Sequence, residues 1–342
     1  MERKRALLIA RGGGVGDTFF ASVVARALRA RYDAVDMLVA PAHGAVLRGN
    51  PDVAEVLEDA TPASLRARDY AAAVCTWATL ENALLPFRAR IPVRVGQARR
   101  LYSLLFTERV SVRSELGDRT THWTQILLDY ARALGCDTAD AQPRVTLDDE
   151  DRAEAQRLLD RARVNGPFAI LHPTRGITRP ERWPSEPFAR LINALVERYE
   201  IPVFVSGSRE DRPLVERMFA EARTAPRAFS SRSAAAVNIA GVTSLRGFTA
   251  LAARARFVVA MDSGPMHLAA STGVPTLGLF ALRSDEPDRW APLGPRTLVL
   301  RGTYPCPPAH RKETCPDFAC VRALELGPIA AGVDRLLSEA TP

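Results

Sequence analysis

Short apolar runs alternate along this chain with longer segments in which apolar residues recur every three or four positions. Runs such as residues 6–10 and 257–260 predict buried strands, because they are four to five residues long and continuously apolar. In residues 18–32 the apolar side chains form one stripe, which predicts a helix packed on a sheet. This alternation is typical of α/β folds with parallel sheets. The predicted elements are residues 6–10, 18–32, 35–39, a short helix near His43, 72–76, 122–134, 168–172, 188–196, 202–206, 245–253, 257–260, 266–271, 275–280 and 328–338.

The pattern is interrupted between residues 138 and 166 by an acidic stretch, a charged helix and the turn Asn165-Gly-Pro167. We place a domain boundary there, with one parallel α/β domain over residues 1–150 and a second over 151–327. The last segment, 328–342, contains a helix that we expect to pack back on the first domain. Parallel sheets bind ligands at the carboxyl ends of their strands, so the chemistry is expected in a central cleft between the domains.

The composition is that of a globular protein. Hydrophobic residues make up 47% of the 342 residues, and no apolar run approaches the roughly 20 residues that a bilayer-spanning helix needs. The apolar stretch before Gly12 is shorter than the core of a signal peptide, so we expect a cytoplasmic protein. Five cysteines, an odd number in a large chain, are expected to be reduced thiols.

The net charge of +7 comes almost wholly from arginine, since Lys4 and Lys312 are the only lysines. Residues 88–100 hold five arginines between apolar residues. This stretch suits an anionic acceptor or the surface of the inner membrane, although a solvated basic face explains it equally well. The chain lacks a known nucleic-acid motif, so no nucleic-acid partner is expected.

A glycine-rich loop, Arg11-Gly-Gly-Gly-Val-Gly-Asp17, joins the first strand to the first helix. It fits the start of a dinucleotide fingerprint, but Asp17 stands at the sixth position, where Gly or Ala is expected, and the acid Asp36 falls inside a strand. A nicotinamide site is therefore a weak alternative. The loop instead presents Asp17 at a helix N-terminus, where the helix dipole favours the ionised carboxylate and a general base is possible. The alternative is an ordinary acidic helix cap.

A second junction lies at Asp262, Ser263, Gly264 and His267, where a buried strand meets a helix with Pro265 in its first turn. Such a junction is an anion site, because backbone N–H groups and the helix dipole favour negative charge. The alternatives are a turn capped by Ser263 or Asp262, and a buried structural role for His267.

These motifs together resemble glycosyltransferase family 9, which contains the ADP-heptose lipopolysaccharide heptosyltransferases. The resemblance rests on the ordered set of the Gly16-Asp17 loop, His172-Pro-Thr-Arg175, Arg182-Trp-Pro184, Asn238-Ile-Ala-Gly241, Asp262-Ser-Gly-Pro-Met-His267 and the ending with Cys315-Pro316 and Cys320. It implies a GT-B fold of two Rossmann-like domains, of which the first binds the acceptor and the second binds the nucleotide-sugar. It also implies inverting heptose transfer from an ADP-sugar without a metal or other cofactor.

The resemblance assigns roles residue by residue. Asp17 matches the general base, and Gly14, Gly16 and His122 lie on the acceptor side, although His122 could equally cap a helix. Glu181 stands where the family usually has a lysine, so an arginine must supply that charge and the donor's identity is in doubt. The donor-side residues are Thr174, Arg175, Arg179, Arg182, Glu210 (with Asp211 competing for the ribose), Asp262, Ser263, Gly264 and His267.

Cys306, His310, Cys315 and Cys320 could form a structural metal site. Their spacing lacks a C-x2-C pair and is poor for zinc, so we expect no metal there.

The leading hypothesis is a heptosyltransferase of lipopolysaccharide core assembly at the inner face of the membrane. A family relative with another acceptor, such as a protein, an O-antigen lipid or a natural product, is the nearest alternative, and a non-catalytic nucleotide-sugar-binding protein is a further one. The sequence leaves open the acceptor, the exact donor sugar and base, and the oligomeric state.

Overall fold

The computed structural model describes residues 4–176, 180–224, 235–307, 310, 313 and 315–339. The chain divides into two compact units, Met1–Thr146 and Leu147–Pro342, which we call unit 1 and unit 2. Their border lies just before the boundary predicted at residue 150. Among the described residues, no helix is long and apolar enough to cross a membrane.

Unit 1 is built on a six-stranded parallel sheet in the order β3-β2-β1-β4-β5-β6. Its strands are β1 (Arg5–Ala10), β2 (Ala34–Val39), β3 (Glu55–Leu57), β4 (Tyr70–Cys75), β5 (Val93–Gln97) and β6 (Glu108–Val110). Its α-helices are α1 (Val15–Leu28), α2 (Pro62–Ala67), α3 (Leu80–Arg88) and α4 (Trp123–Arg132), and 3₁₀ helices cover Gly44–Leu47, Leu101–Leu105 and Arg113–Leu116.

Unit 2 repeats this plan in the order β12-β11-β10-β7-β8-β9. Its strands are β7 (Ala169–His172), β8 (Val203–Val205), β9 (Ala236–Asn238), β10 (Phe257–Met261), β11 (Thr276–Phe280) and β12 (Thr297–Arg301). Its α-helices are α5 (Asp149–Ala162), α6 (Glu186–Tyr199), α7 (Arg212–Thr224), α8 (Leu245–Ala252), α9 (Gly264–Ser271), α10 (Pro287–Trp290), α11 (Ala319–Arg322) and α12 (Leu326–Ser338), and a 3₁₀ helix covers Pro180–Arg182.

Both sheets have the Rossmann strand order, so each has one place where the order of strands reverses. In unit 1 this switch point lies between β1 and β4, and in unit 2 it lies between β7 and β10. Connections leave neighbouring strands on opposite sides at a switch point, which opens a crevice at their carboxyl ends. Both crevices are therefore fixed by topology, and Asp17, Arg175 and Asp262 come soon after β1, β7 and β10.

Alternating side chains of the unit 2 strands fill two separate apolar cores, one on each face of the sheet. Leu171 and Val259 belong to one core, whereas their neighbours Ile170 and Val258 belong to the other. This alternation follows from the two-residue period of a strand, and it explains why central strands appear as continuous apolar runs in the sequence.

The final helix, α12, buries Ile329, Val333 and Leu336 in a core of unit 2. It contacts β10, β11, β12 and α6, all of which belong to that unit. Its apolar face is thus used within unit 2, and packing onto the first domain stays a prediction.

Candidate functional site

The glycine-rich loop of unit 1 connects β1 to α1 and places Asp17 in the first turn of the helix. The Gly14 backbone N–H donates a hydrogen bond to Asp17 Oδ2 at 2.8 Å. The carboxylate therefore does satisfy a backbone donor at the helix start, as the alternative interpretation of an acidic cap expected. Such bonding to a backbone N–H, together with the helix dipole, favours the ionised form that a base requires.

The glycines of this loop allow two side chains to approach the backbone. A Cβ atom on Gly12 would lie 2.0 Å from the Trp77 ring, and one on Gly13 would lie 2.4 Å from Asp17 Oδ2. Gly13 also has a φ of +67°, which side chains rarely tolerate. At Gly14, in contrast, a Cβ would meet nothing nearer than Asp17 Oδ2 at 3.8 Å. Gly12 and Gly13 thus leave room for the Trp77 ring and the Asp17 carboxylate.

Trp77 follows β4, directly across the switch point from the Asp17 loop, and sequence analysis missed it. With Thr76, Trp123 and Leu127 it lines a small pocket that also contains Asp17. The signal for Trp77 was its position immediately after the predicted strand 72–76. Parallel strands bring such residues to one edge of the sheet.

His122 caps α4, because its Nδ1 accepts a hydrogen bond from the Thr124 backbone N–H at 3.2 Å. Its ring also lies edge-on to Phe20, with centroids 5.8 Å apart. The capping role is therefore confirmed, and contact with an acceptor stays a prediction.

The dinucleotide alternative fails at Asp36. This residue is fully buried within β2, and its carboxylate accepts hydrogen bonds from Arg5 and from Tyr70 Oη at 2.6 Å. A carboxylate held in this way is a structural ion pair and does not face a ribose at the end of a strand.

In unit 2, the second junction runs from β10 through Asp262 and Ser263 into α9. Ser263 Oγ donates to the Met261 carbonyl at 2.9 Å and makes no capping bond to α9. The interpretation of a turn capped by Ser263 is therefore wrong, whereas capping by Asp262 stays an alternative to an anion site at this helix N-terminus. Gly264 is the first residue of α9, and His267 is buried one turn further on.

Arg175 joins the two sides of the unit 2 switch point. It follows β7, and its Nη2 lies 3.0 Å from Asp262 Oδ2, beyond the end of β10. Its Nη1 binds Asp285, which is 1% exposed and follows β11. The predicted donor residues Arg175 and Asp262 are thus in direct contact.

Asp285 is a further residue that sequence analysis missed, although it comes soon after the predicted strand 275–280. Its Oδ2 accepts a hydrogen bond from the Leu282 backbone N–H at 2.9 Å. Burial raises the pKa of Asp285, and the attraction of Arg175 opposes part of that rise. The positive charge of Arg175 therefore stabilises the ionised form of the buried Asp285 carboxylate.

Thr174 and Asp211 link the ends of β7 and the loop before α7. Thr174 Oγ1 donates to Asp211 Oδ2 at 2.9 Å, and the same oxygen accepts from the Ser208 backbone N–H. Glu210 is exposed. Because the Thr174 hydroxyl already donates to Asp211, its role toward a phosphate stays a prediction, as does the choice between Glu210 and Asp211 for a ribose.

His172, the last residue of β7, is buried with its Nδ1 2.9 Å from Ser206 Oγ. Burial lowers its pKa to about 4, with Asp211 opposing part of the shift. The imidazole is therefore neutral at pH 7.

We expect this histidine to make folding pH-dependent. The unfolded chain binds the proton near pH 6.5, whereas the folded protein binds it only near 4, so protonation favours unfolding below about pH 6.5. The loss should reach about 2 kcal/mol at pH 5. Urea unfolding of the wild type and His172→Gln at pH 7 and pH 5 measures it, because the variant lacks this loss. Equal pH dependence of the two proteins would contradict the assignment.

Arg182 lies away from these contacts, on a polar pocket of about 460 Å³ between the start of α6 and α7. That pocket is also lined by Glu181, Arg217, Glu221 and Asp317. A role for Arg182 in donor binding stays a prediction, and Arg179 lies outside the described residues.

The four residues considered for a metal lie near one another, since Cys306 interacts with Cys315 and Cys320 as well as with His310. Cys306 Sγ lies 3.4 Å from His310 Nδ1, whereas Cys315 Sγ accepts from the Phe318 backbone N–H. In the part of the chain that the structure describes, no group of three metal-binding side chains is present. Burial raises the pKa of Cys320 to about 11, so its thiol is protonated.

Comparison with known proteins shows which family this chain resembles. The model of glycosyltransferase family 9 (heptosyltransferase) matches residues 60–317. The lipopolysaccharide core heptosyltransferase OpsX of Haemophilus influenzae is 26% identical over 313 residues, which cover 85% of this chain and 82% of that protein.

Two solved structures bear on the fold. E. coli ADP-heptose lipopolysaccharide heptosyltransferase II matches with a TM-score of 0.75 at 20% identity, covering 98% of this chain and 99% of the other. E. coli heptosyltransferase WaaC with ADP-2-deoxy-2-fluoro heptose matches with a TM-score of 0.64 at 19% identity, covering 97% and 99%. The predicted fold class of two Rossmann-like α/β domains, shared with GT-B glycosyltransferases, is thereby confirmed.

Proposed function

The chain belongs to glycosyltransferase family 9, the heptosyltransferase family, and on that premise we propose that it transfers heptose from ADP-heptose to a lipopolysaccharide core acceptor, with inversion at the anomeric carbon. The observation that supports this proposal most is that the switch point of each unit carries polar groups suited to one half of the reaction. Unit 1 presents the Asp17 carboxylate at one, and unit 2 presents the start of α9 beside the Arg175–Asp262 pair at the other.

On the donor side, the diphosphate lies at the N-terminus of α9. Its developing charge meets the backbone N–H of Gly264 and the positive end of the helix dipole, which are preorganised before reaction begins. Asp262 accepts hydrogen bonds from sugar hydroxyls, and Arg175 fixes its orientation. His267 faces the phosphates from the same side of the helix as Ser263.

On the acceptor side, Asp17 takes the proton of the attacking hydroxyl. The acceptor oxygen forms its bond to the anomeric carbon while the bond from that carbon to the diphosphate oxygen breaks, and ADP leaves with the electron pair. Attack opposite the leaving group inverts the configuration, so a single base suffices. Gly14 and Gly16 flank this base on the acceptor side.

The chemistry proposed for the partners follows from these sites. The donor is a nucleotide-sugar, and the acceptor is an anionic glycolipid or its oligosaccharide at the inner face of the inner membrane. Support for heptose and ADP comes from the relatives, one of which is the E. coli ADP-heptose lipopolysaccharide heptosyltransferase II.

The donor is tested by incubating the protein with matched ADP- and UDP-sugars and a heptose-free core acceptor. We expect release of the nucleotide with ADP-heptose, at least about 100-fold faster than with UDP-sugars, because contacts to the base and ribose discriminate nucleotides. Omitting the acceptor is the control for simple hydrolysis. If no ADP-sugar is turned over while a UDP-sugar is, the proposed donor is wrong.

A further inference from the structure

Unit 1 exposes a group of large apolar side chains on α3 and on the 3₁₀ helix that follows β5. Leu101 and Leu104 on the 3₁₀ helix are 95% and 76% exposed, and Leu80 and Phe87 on α3 are 54% and 47% exposed. A leucine with almost its whole side chain in water is unusual when others surround it. We call Leu80, Phe87, Leu101 and Leu104 the leucine surface.

Hydrogen bonds and a ring contact hold the two helices of this surface next to each other. Leu101 and Leu104 are three residues apart on a 3₁₀ helix, which has three residues per turn, so they lie on the same face. Between them, Tyr102 Oη donates to the Ala78 carbonyl at 2.7 Å, just before α3. The start of α3 and the 3₁₀ helix Leu101–Leu105 are thus held side by side.

The far end of α3 is tied to the same 3₁₀ helix. The Arg94 guanidinium lies 5.6 Å from the centre of the Phe87 ring, and its Nε donates to the Leu105 carbonyl at 2.8 Å. These contacts hold the backbone in place while the leucine side chains stay exposed.

Arginines border the leucine surface. Arg88, Arg90, Arg99 and Arg100 are exposed, and of the nearby acids Glu81 binds Arg11 while Glu115 binds Arg100 at 2.7 Å. The local charge is therefore positive. Apolar side chains that project from a basic surface match the interface of an anionic bilayer, where they enter the acyl boundary and the arginines meet headgroups.

The N-terminal end of α3 lies beside the Asp17 loop. The Asn82 side-chain amide, two residues after Leu80, donates to the Arg11 and Trp77 carbonyls at 2.9 Å each. Docking through the leucine surface therefore leaves the Asp17 loop near the lipid interface, where the sugars of a membrane-anchored acceptor would be found.

We infer that the leucine surface and its four bordering arginines dock unit 1 onto a bilayer of anionic phospholipids. This inference rests on the proposed function only for the identity of the acceptor. The partner is the phospholipid headgroup layer itself, and its recognition does not require the donor or the transfer reaction.

Sedimentation with vesicles tests the inference. The full chain should sediment with vesicles of equal parts phosphatidylglycerol and phosphatidylcholine and stay in solution with phosphatidylcholine alone. Leu101→Ser combined with Leu104→Ser should lower the partition coefficient at least about tenfold, because two apolar anchors are lost. Arg99→Ala with Arg100→Ala should weaken binding about tenfold and reduce its salt dependence.

Matched controls come from the other unit and from another helix. Val242→Ser removes an apolar side chain that is 39% exposed in unit 2, and Arg152→Ala removes an exposed arginine of α5. Both should leave vesicle binding unchanged. The inference is overturned if the wild type ignores anionic vesicles, or if the leucine pair abolishes a dimer seen by light scattering while vesicle binding persists.

Transfer assays separate this inference from the proposed function. The leucine pair should keep wild-type transfer to a water-soluble core oligosaccharide and lose it, about tenfold, to an acceptor embedded in vesicles. If the wild type transfers to neither acceptor, the proposed function fails while the vesicle result stands by itself.

Discussion

Replacing Asp17 by Asn should lower the rate of heptose transfer about 1,000-fold, because a positioned general base contributes 10²- to 10⁴-fold. Binding of the ADP-sugar, measured by calorimetry, should stay within about twofold of the wild type. An asparagine oxygen can still accept the Gly14 N–H, so the loop keeps its geometry. Donor affinity that falls as far as the rate would contradict the base role.

Two neighbouring glycines provide a geometric test of the same carboxylate. Gly13→Ala would place a Cβ 2.4 Å from Asp17 Oδ2 at a positive φ, so the carboxylate must move and transfer should fall strongly. Gly14→Ala is the matched control, since its nearest contact would be 3.8 Å away. Equal rates for the two variants would show that the position of Asp17 does not matter.

Replacing Arg175 by Met should destabilise the protein by about 3 kcal/mol, because it leaves Asp285 buried and Asp262 largely buried without their shared cation. Donor affinity should fall as well, since Asp262 loses its orientation. Urea unfolding and calorimetric titration with the ADP-sugar measure the two effects. The double variant with Asp285→Asn should regain most of the stability, because the uncompensated charge is then removed.

The pH dependence of this variant has a definite sign. Burial already raises the pKa of Asp285 above its ordinary value of about 3.8, so ionisation costs stability as the pH rises above that value. Without Arg175 the pKa of Asp285 rises further, so the loss of stability caused by its ionisation extends to higher pH. The stability gap between wild type and variant should therefore narrow as the pH is lowered from 8 to 5. A gap that widens on acidification would contradict this account.

The sequence was most informative about the central strands and the residues that follow them. The apolar run 257–260 is part of β10, because continuous apolar runs are typical of strands buried on both faces. The predicted glycine-rich loop likewise leads into α1, with Asp17 in the first turn of that helix. The family resemblance then assigned roles that local patterns cannot supply. Local patterns alone left both junctions open to capped turns.

Several elements were missed, including the helices α3 and α7 and the strand β12. Strands β3, β6 and β9 have three residues each, too few for a periodic signal, and β5 lies within the arginine-rich stretch. Their pairing depends on neighbouring strands rather than on their own residues.

Contacts between distant residues were also beyond the sequence. Arg175 meets Asp262 and Asp285 across 87 and 110 positions of the chain, and Trp77 reaches Gly12 from another strand. These contacts follow from strand order, since each residue comes just after a strand whose carboxyl end lies at the same edge. A strand order fixed in advance would have predicted them as neighbours.

The most direct test of the central claim is the structure of the product made from ADP-heptose and a heptose-free core oligosaccharide. The account predicts a product heavier by one heptose, with the anomeric configuration opposite to that of the donor by nuclear magnetic resonance, formed by wild type and lost in Asp17→Asn. A product with retained configuration, or equal yields from both proteins, would contradict it.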